Sequence, residues 1–197
     1  MIPPLVDLEK YAGLKFDIRY ARADNFIGEK VYTVPKAYLL RHVALDLMAV
    51  HQQLAEHGFG LLIFDGYRPW SVTKLFWDRS TEEVRQFLAN PETGSSHNRG
   101  CAVDLSMYHL DSGEPVMMPS DFDEMNEKAF TEYPGGSDES RRCRDLLQAT
   151  MKANHFLGIK NEWWHFNHRT HQGWPVMYLT FEEIELILKN PHPSPEK

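Results

Sequence analysis

The chain has 197 residues, 42% of them hydrophobic and 25% charged, which is enough to bury a core without disulfides and excludes a disordered or fibrous protein. A formal net charge of -7, with no basic run, argues against a nucleic-acid partner, and no apolar window is long enough to span a membrane. The two cysteines, Cys101 and Cys143, make no disulfide framework and read as small buried apolar residues.

Residues 1–7 show no basic segment followed by an apolar run, so the chain as written is expected in the cytoplasm. Few periodic cues mark residues 1–33, although alternation over 16–20 predicts a short strand. After Pro35, Leu40, Val43, Ala44, Leu47, Met48, His51 and Leu54 recur at helical spacing and predict a helix to about Glu56. His51 lies in that stripe as a core or boundary histidine rather than a ligand. Gly58 closes the helix. The apolar run 59–65 predicts a buried strand, and Pro69 opens a further helical segment. Ser80-Thr81-Glu82-Glu83 reads as a capping box with Ser80 as N-cap, for a helix ending at Asn90-Pro91.

A loop over 91–94 leads to a strand over 102–109, then a turn at 111–114 and a hairpin partner over 115–118. Residues 119–137 lack periodicity and predict a loop that forms part of a site. Ser137 caps a helix that buries Cys143, Leu146, Leu147, Thr150 and Met151 and ends at Gly158. Strands are predicted over 162–168 and 174–179. Thr180-Phe181-Glu182-Glu183 is a second capping box, opening a last helix to Asn190, and 191–197 is a loose, proline-rich tail. These elements predict an α+β fold: one domain over residues 1–197 with a small, mostly antiparallel sheet flanked by helices.

Three stretches carry chemistry. His97 and Asp104 flank Gly100, whose freedom would let the two side chains face one point. Imidazole and carboxylate together suit zinc. Period 2 along the strand after Gly100 puts Ala102, Asp104 and Ser106 on one face, with Val103, Leu105 and Met107 on the other. The second stretch, Glu162-Trp163-Trp164-His165 followed by His168 and His171, supplies a third ligand and a carboxylate. His168 and His171 compete with His165 for that place, and a fourth ligand would close the site into a structural one. Residues three apart on a regular strand face opposite sides, so Glu162 and His165 converge only if the segment is bent, bulged or helical. The third stretch, Asp65-Gly66-Tyr67-Arg68-Pro69, puts an arginine at the end of an apolar strand with Asp65 as its nearest partner.

The pattern formed by Ser95, His97, Gly100 and Asp104, with Glu162-x-x-His165 and the Asp65 to Pro69 stretch, resembles the zinc D-alanyl-D-alanine dipeptidases of the VanX type. The resemblance runs over nearly the whole chain and takes in the stretch from Tyr20 to Phe26 and Phe122-Asp123-Glu124. It implies one zinc ion per chain, placed on the sheet and held by His97, Asp104 and His165. Glu162 would be the general base and acid for a water activated by zinc. Arg68, oriented by Asp65, would stabilise the oxyanion. Asp123 and Tyr20 would bind the ammonium end of a small dipeptide, and Ser95 would assist at the same site.

The function so implied is hydrolysis of D-Ala-D-Ala and related small dipeptides. Two alternatives stand beside it: a zinc carboxypeptidase or endopeptidase acting on longer peptidoglycan stem peptides, and a zinc module with no catalysis. A narrow cavity closed by the loop over 119–137 would favour the dipeptide. A binding module would have no use for Glu162 or Arg68, and both are present.

Overall fold

The computed structural model describes residues 4–190. The central sheet has five strands in the order β2-β4-β5-β7-β6. These are β2 (Lys15–Phe16), β4 (Phe59–Asp65), β5 (Ala102–His109), β6 (Phe156–Ile159) and β7 (Glu162–His168). Only β2 runs parallel to its neighbour, so the sheet is mostly antiparallel, as expected. A two-stranded ladder joins β1 (Leu5–Asp7) to β3 (Tyr38–Leu40). The helices are α1 (Arg41–Ala55), α2 (Trp70–Arg79), α3 (Glu82–Arg85), α4 (Asp138–Ala153) and α5 (Phe181–Lys189).

Alternation on β5 sorts the molecule into two sides. Val103, Leu105 and Met107 join a core with Val43, Leu47 and Val50 of α1 and with Leu147 and Met151 of α4. Helix α1 packs on β4, α4 packs on β6, and the two helices touch each other. Asp104 points to the other side of the sheet. That side is not solvent: the loop over 119–137 covers it, and Phe122 stacks on Phe64 with ring centroids 4.5 Å apart.

Several boundaries differ from the expectation. The stripe beginning at Leu40 is strand before it is helix, because Leu40 pairs with Leu5 and α1 starts only at Arg41. The strand expected over 16–20 stops at Phe16, and Arg19–Ala21 is a 3₁₀ turn. Ser80 caps the C-terminus of α2, while Thr81 is the N-cap of a single-turn α3 and its side chain makes no capping bond. The hairpin partner at 115–118 reduces to one bridge, Tyr108 to Pro115. Helix α4 ends at Ala153, because Phe156–Ile159 leaves it to form the edge strand β6. Residues 174–179 form no strand; Met177 N–H donates to the Asn98 carbonyl at 2.9 Å, tying that segment to the loop that carries His97. By contrast, Thr180 and Glu183 form the expected capping box on α5, and Ser137 caps α4. Cys101 and Cys143 are buried and unpaired. The expected loose tail lies outside the described residues.

Candidate active site

Two irregularities in the sheet build the site. In the β4–β5 ladder Ile63 faces Leu105, yet Asp65 faces Asp104, so Phe64 is an extra residue. Without that bulge Asp65 would turn with Ile63 towards the helices; with it, Asp65 comes opposite Asp104. In the β6–β7 ladder Gly158 faces Phe166 while the next residue, Ile159, faces Glu162. Three residues, Trp163 to His165, are therefore spare on β7. This is the bend the sequence required, and it brings Glu162 Oε2 to 3.8 Å from His165 Nδ1.

Asp104 and His165 lie opposite each other on β5 and β7. His97 arrives from a 3₁₀ turn, His97–Arg99, that ends at Gly100 with φ +66°. A Cβ at Gly100 would lie 3.0 Å from Leu5 and 3.3 Å from Leu40, so a residue without one is required on both counts. The loop is fixed from behind. Leu40 N–H donates to the Gly100 carbonyl at 3.0 Å, and the Asn98 amide donates to the Arg68 carbonyl and to Thr73 Oγ1, each at 2.8 Å.

The donor atoms of His97, Asp104 and His165 all lie within 4.8 Å of one another, and all three residues are buried. His165 Nδ1 is 2.9 Å from Asp104 Oδ1 and 3.1 Å from His97 Nε2, and the latter is 3.3 Å from Asp104 Oδ2. Each imidazole is oriented by its far nitrogen. His97 Nδ1–H donates to the Gly66 carbonyl at 2.6 Å, and His165 Nε2–H donates to Asn167 Oδ1 at 3.0 Å. When both rings are neutral, those bonds leave lone pairs on the two facing nitrogens, beside a carboxylate. Only a cation among them relieves that arrangement, and two imidazoles with one carboxylate are a donor set that fits zinc with one position left open.

His168 and His171, the competing ligands, are elsewhere. His168 faces the helices, and His171 Nδ1–H donates to the His168 carbonyl at 2.9 Å. Arg68 is buried with its Nε 2.9 Å from Asp65 Oδ2 and its guanidinium 3.4 Å from Asp104 Oδ2. Burial opposes its charge, but Asp65 and its other neighbours hold its pKa well above the usual value. Asp65 itself lies below the cavity wall, where Tyr32 donates to its Oδ1 at 2.8 Å. Burial raises Asp104, yet His97 and His165 overcome this and keep it ionised far below the usual carboxylate range. Burial pushes Glu162 up to about 7.

These groups open on one cavity of about 310 Å³, lined also by Tyr20, Ser95, Met125, Trp164 and Asn167. Asp123 lines it with its backbone at φ +60°, uncommon for a residue other than glycine. Tyr20 donates to Asp123 Oδ1 at 3.1 Å, whereas the buried Oδ2 has no partner. Burial and the charge of Asp104 raise Asp123 well above the usual range. Ser95 Oγ accepts from His97 N–H at 3.2 Å. Two orienting residues escaped the sequence reading. Asn167 was within reach of it, two positions beyond His165 on the same strand face; Tyr32, 33 positions from Asp65, carried no local signal.

The family model for D-Ala-D-Ala dipeptidases, Peptidase_M15, matches residues 4–184. A D-alanyl-D-alanine dipeptidase of Enterococcus faecalis is 34% identical over 191 residues, covering 88% of this chain and 94% of that protein. One from Escherichia coli is 33% identical over 175 residues, covering 88% of this chain and 89% of that protein. Among solved structures, the vancomycin-resistance D,D-dipeptidase VanXYg in complex with a D-Ala-D-Ala phosphinate analog is 19% identical, with a TM-score of 0.46 over 79% of this chain and 56% of that one.

Proposed function

Because the chain belongs to the D-Ala-D-Ala dipeptidase family of M15 metallopeptidases, we propose that it hydrolyses D-Ala-D-Ala and related small dipeptides with one zinc ion held by His97, Asp104 and His165. One observation carries the reading: in a single small cavity that donor set meets a buried carboxylate, a buried guanidinium and an orphaned carboxylate oxygen. When bound, the zinc would supply a Lewis acid that polarises the scissile carbonyl and acidifies water.

The chain's own residues do the rest. Glu162 takes a proton from the attacking water and returns it to the leaving amine, a task suited to a carboxylate raised towards neutral pH. Arg68 places a fixed positive charge where the carbonyl oxygen becomes an oxyanion. Asp65 and Tyr32 keep its fork from swinging into solvent. Asp123 presents its unpartnered oxygen to the substrate ammonium, with Tyr20 steadying the other oxygen. Ser95, anchored through the backbone of His97, keeps a hydroxyl proton to offer the substrate.

The cavity is at the small end of ligand sites, which span roughly 300–1,000 Å³. Asp123 and Met125 of the covering loop stand in its wall, where a longer stem peptide would need room. Both features support a dipeptide over a polymer, and the presence of Glu162 and Arg68 supports an enzyme over a zinc-binding module.

The deciding assay is D-Ala-D-Ala hydrolysis by zinc-loaded protein beside Glu162→Ala, with zinc measured on both. The variant is expected to keep its zinc and lose about 10²–10⁴-fold in kcat. Zinc-loaded wild type that releases no D-alanine would overturn the substrate assignment and direct the assay to longer wall peptides.

A further inference from the structure

His165 and His168 lie three apart on the regular end of β7, so they point to opposite faces of the sheet. His165 enters the cavity. His168, buried among the helices, meets a second group of donors from two other elements. Asp46 comes from the middle of α1, and His155 follows the end of α4. Asp46 Oδ2 lies 2.8 Å from His155 Nδ1 and 2.9 Å from His168 Nε2, and the three atoms fall within 4.8 Å of one another.

We propose that Asp46, His155 and His168 form a second metal site, on the helical face of the sheet, for zinc or a similar borderline divalent ion. The donor set is again two imidazole nitrogens and one carboxylate oxygen, which suits zinc, cobalt, nickel or copper and disfavours calcium and magnesium. The far nitrogen of the buried ring has the partner that ligand histidines keep: His168 Nδ1 is 2.8 Å from Thr170 Oγ1, a hydroxyl also 2.9 Å from His42 Nε2. His155 holds its place at a cost, with φ +73°.

The site is built differently from the first. His168 is buried, while the side chains of Asp46 and His155 are 33% and 42% exposed. An ion therefore has a path from solvent, and water can complete its coordination. No acid, base or fixed cation akin to Glu162 and Arg68 belongs to the group, so its effect is to clip α1, the α4–β6 turn and the end of β7 together.

The test is metal uptake by chelator-stripped protein, titrated with zinc and, separately, with cobalt read by visible absorption. Wild type is expected to take up one equivalent more than His155→Gly, a change that removes one ligand and leaves the positive φ easy to adopt. Asp46→Asn should show the same deficit of one, and both variants should hydrolyse D-Ala-D-Ala at the wild-type rate. Reading the difference between proteins makes the outcome independent of how fully the first site fills. Equal uptake by all three proteins would overturn the proposal, as would a cobalt spectrum unchanged by either substitution.

Discussion

The guanidinium of Arg68 stands between two carboxylates that the β4 bulge sets opposite each other, so it serves the fold as well as the chemistry. Arg68→Ala would leave Asp65 and Asp104 buried with no cation between them. The expected cost is about 3–5 kcal/mol, read as a fall in the urea midpoint at constant slope. Arg68→Lys keeps a charge but not the planar fork; it should recover most of that stability while kcat stays down about 10²-fold or more. Asp123 behaves in the opposite sense. Its folded-state pKa is raised, so the ligand-free protein loses stability as pH rises from the unfolded carboxylate value through the folded one. Asp123→Asn removes that charge and tolerates φ +60°. It should therefore raise the Tm of ligand-free protein above neutral pH, with a smaller gain at acid pH, while KM for D-Ala-D-Ala rises at least about tenfold. A variant with unchanged Tm across pH would show that the Asp123 charge is already solvated.

The elements divide by how much of their cause is local. Helices α4 and α5 were legible because stripe and caps lie within one turn of each other in sequence, and β4, β5 and β7 because each is a long apolar or alternating run. Strands β1, β2 and β3 are two or three residues long and owe their existence to partners 31 to 47 positions away, as in Phe16 facing Ile63 and Leu5 facing Leu40. No window on the chain contains both members. The bulge at Phe64 was invisible for the same reason, whereas the bend in β7 followed from the requirement that Glu162 and His165 meet. The same long-range bracing makes the loop from His97 to Gly100 sensitive to its backing. Gly100→Ala should destabilise by about 1–2 kcal/mol for the left-handed backbone alone, with contact against Leu5 and Leu40 adding to it. For a domain of this size that amounts to about 2–4 °C in Tm per kcal/mol, and thermal unfolding reads it directly.

At the scale of the molecule, His97, Asp104 and His165 bring two distant stretches, 97–104 and 162–165, to one point, and that cluster was legible because each stretch carries tight local spacing. A metal that binds the folded chain and not the unfolded one stabilises it by mass action, about 4 kcal/mol at a thousandfold excess over Kd. Chelation should accordingly lower Tm by roughly 8–16 °C, and restoring zinc should reverse it. The stripped protein should still unfold cooperatively, since His97 and His165 keep their bonds to the Gly66 carbonyl and Asn167 without the ion. No helix among the described residues is long and apolar enough to cross a membrane. The spare residues in β7 bear on heredity as well as on shape. Within seven positions this strand turns Glu162 and His165 one way and His168 the other, so one deletion between them would hand a histidine to the wrong side of the sheet. Lineages can respell Trp163, Trp164 and Phe166 with other bulky apolar side chains, but they cannot change the count. Working relatives should show substitutions along this stretch and no gaps.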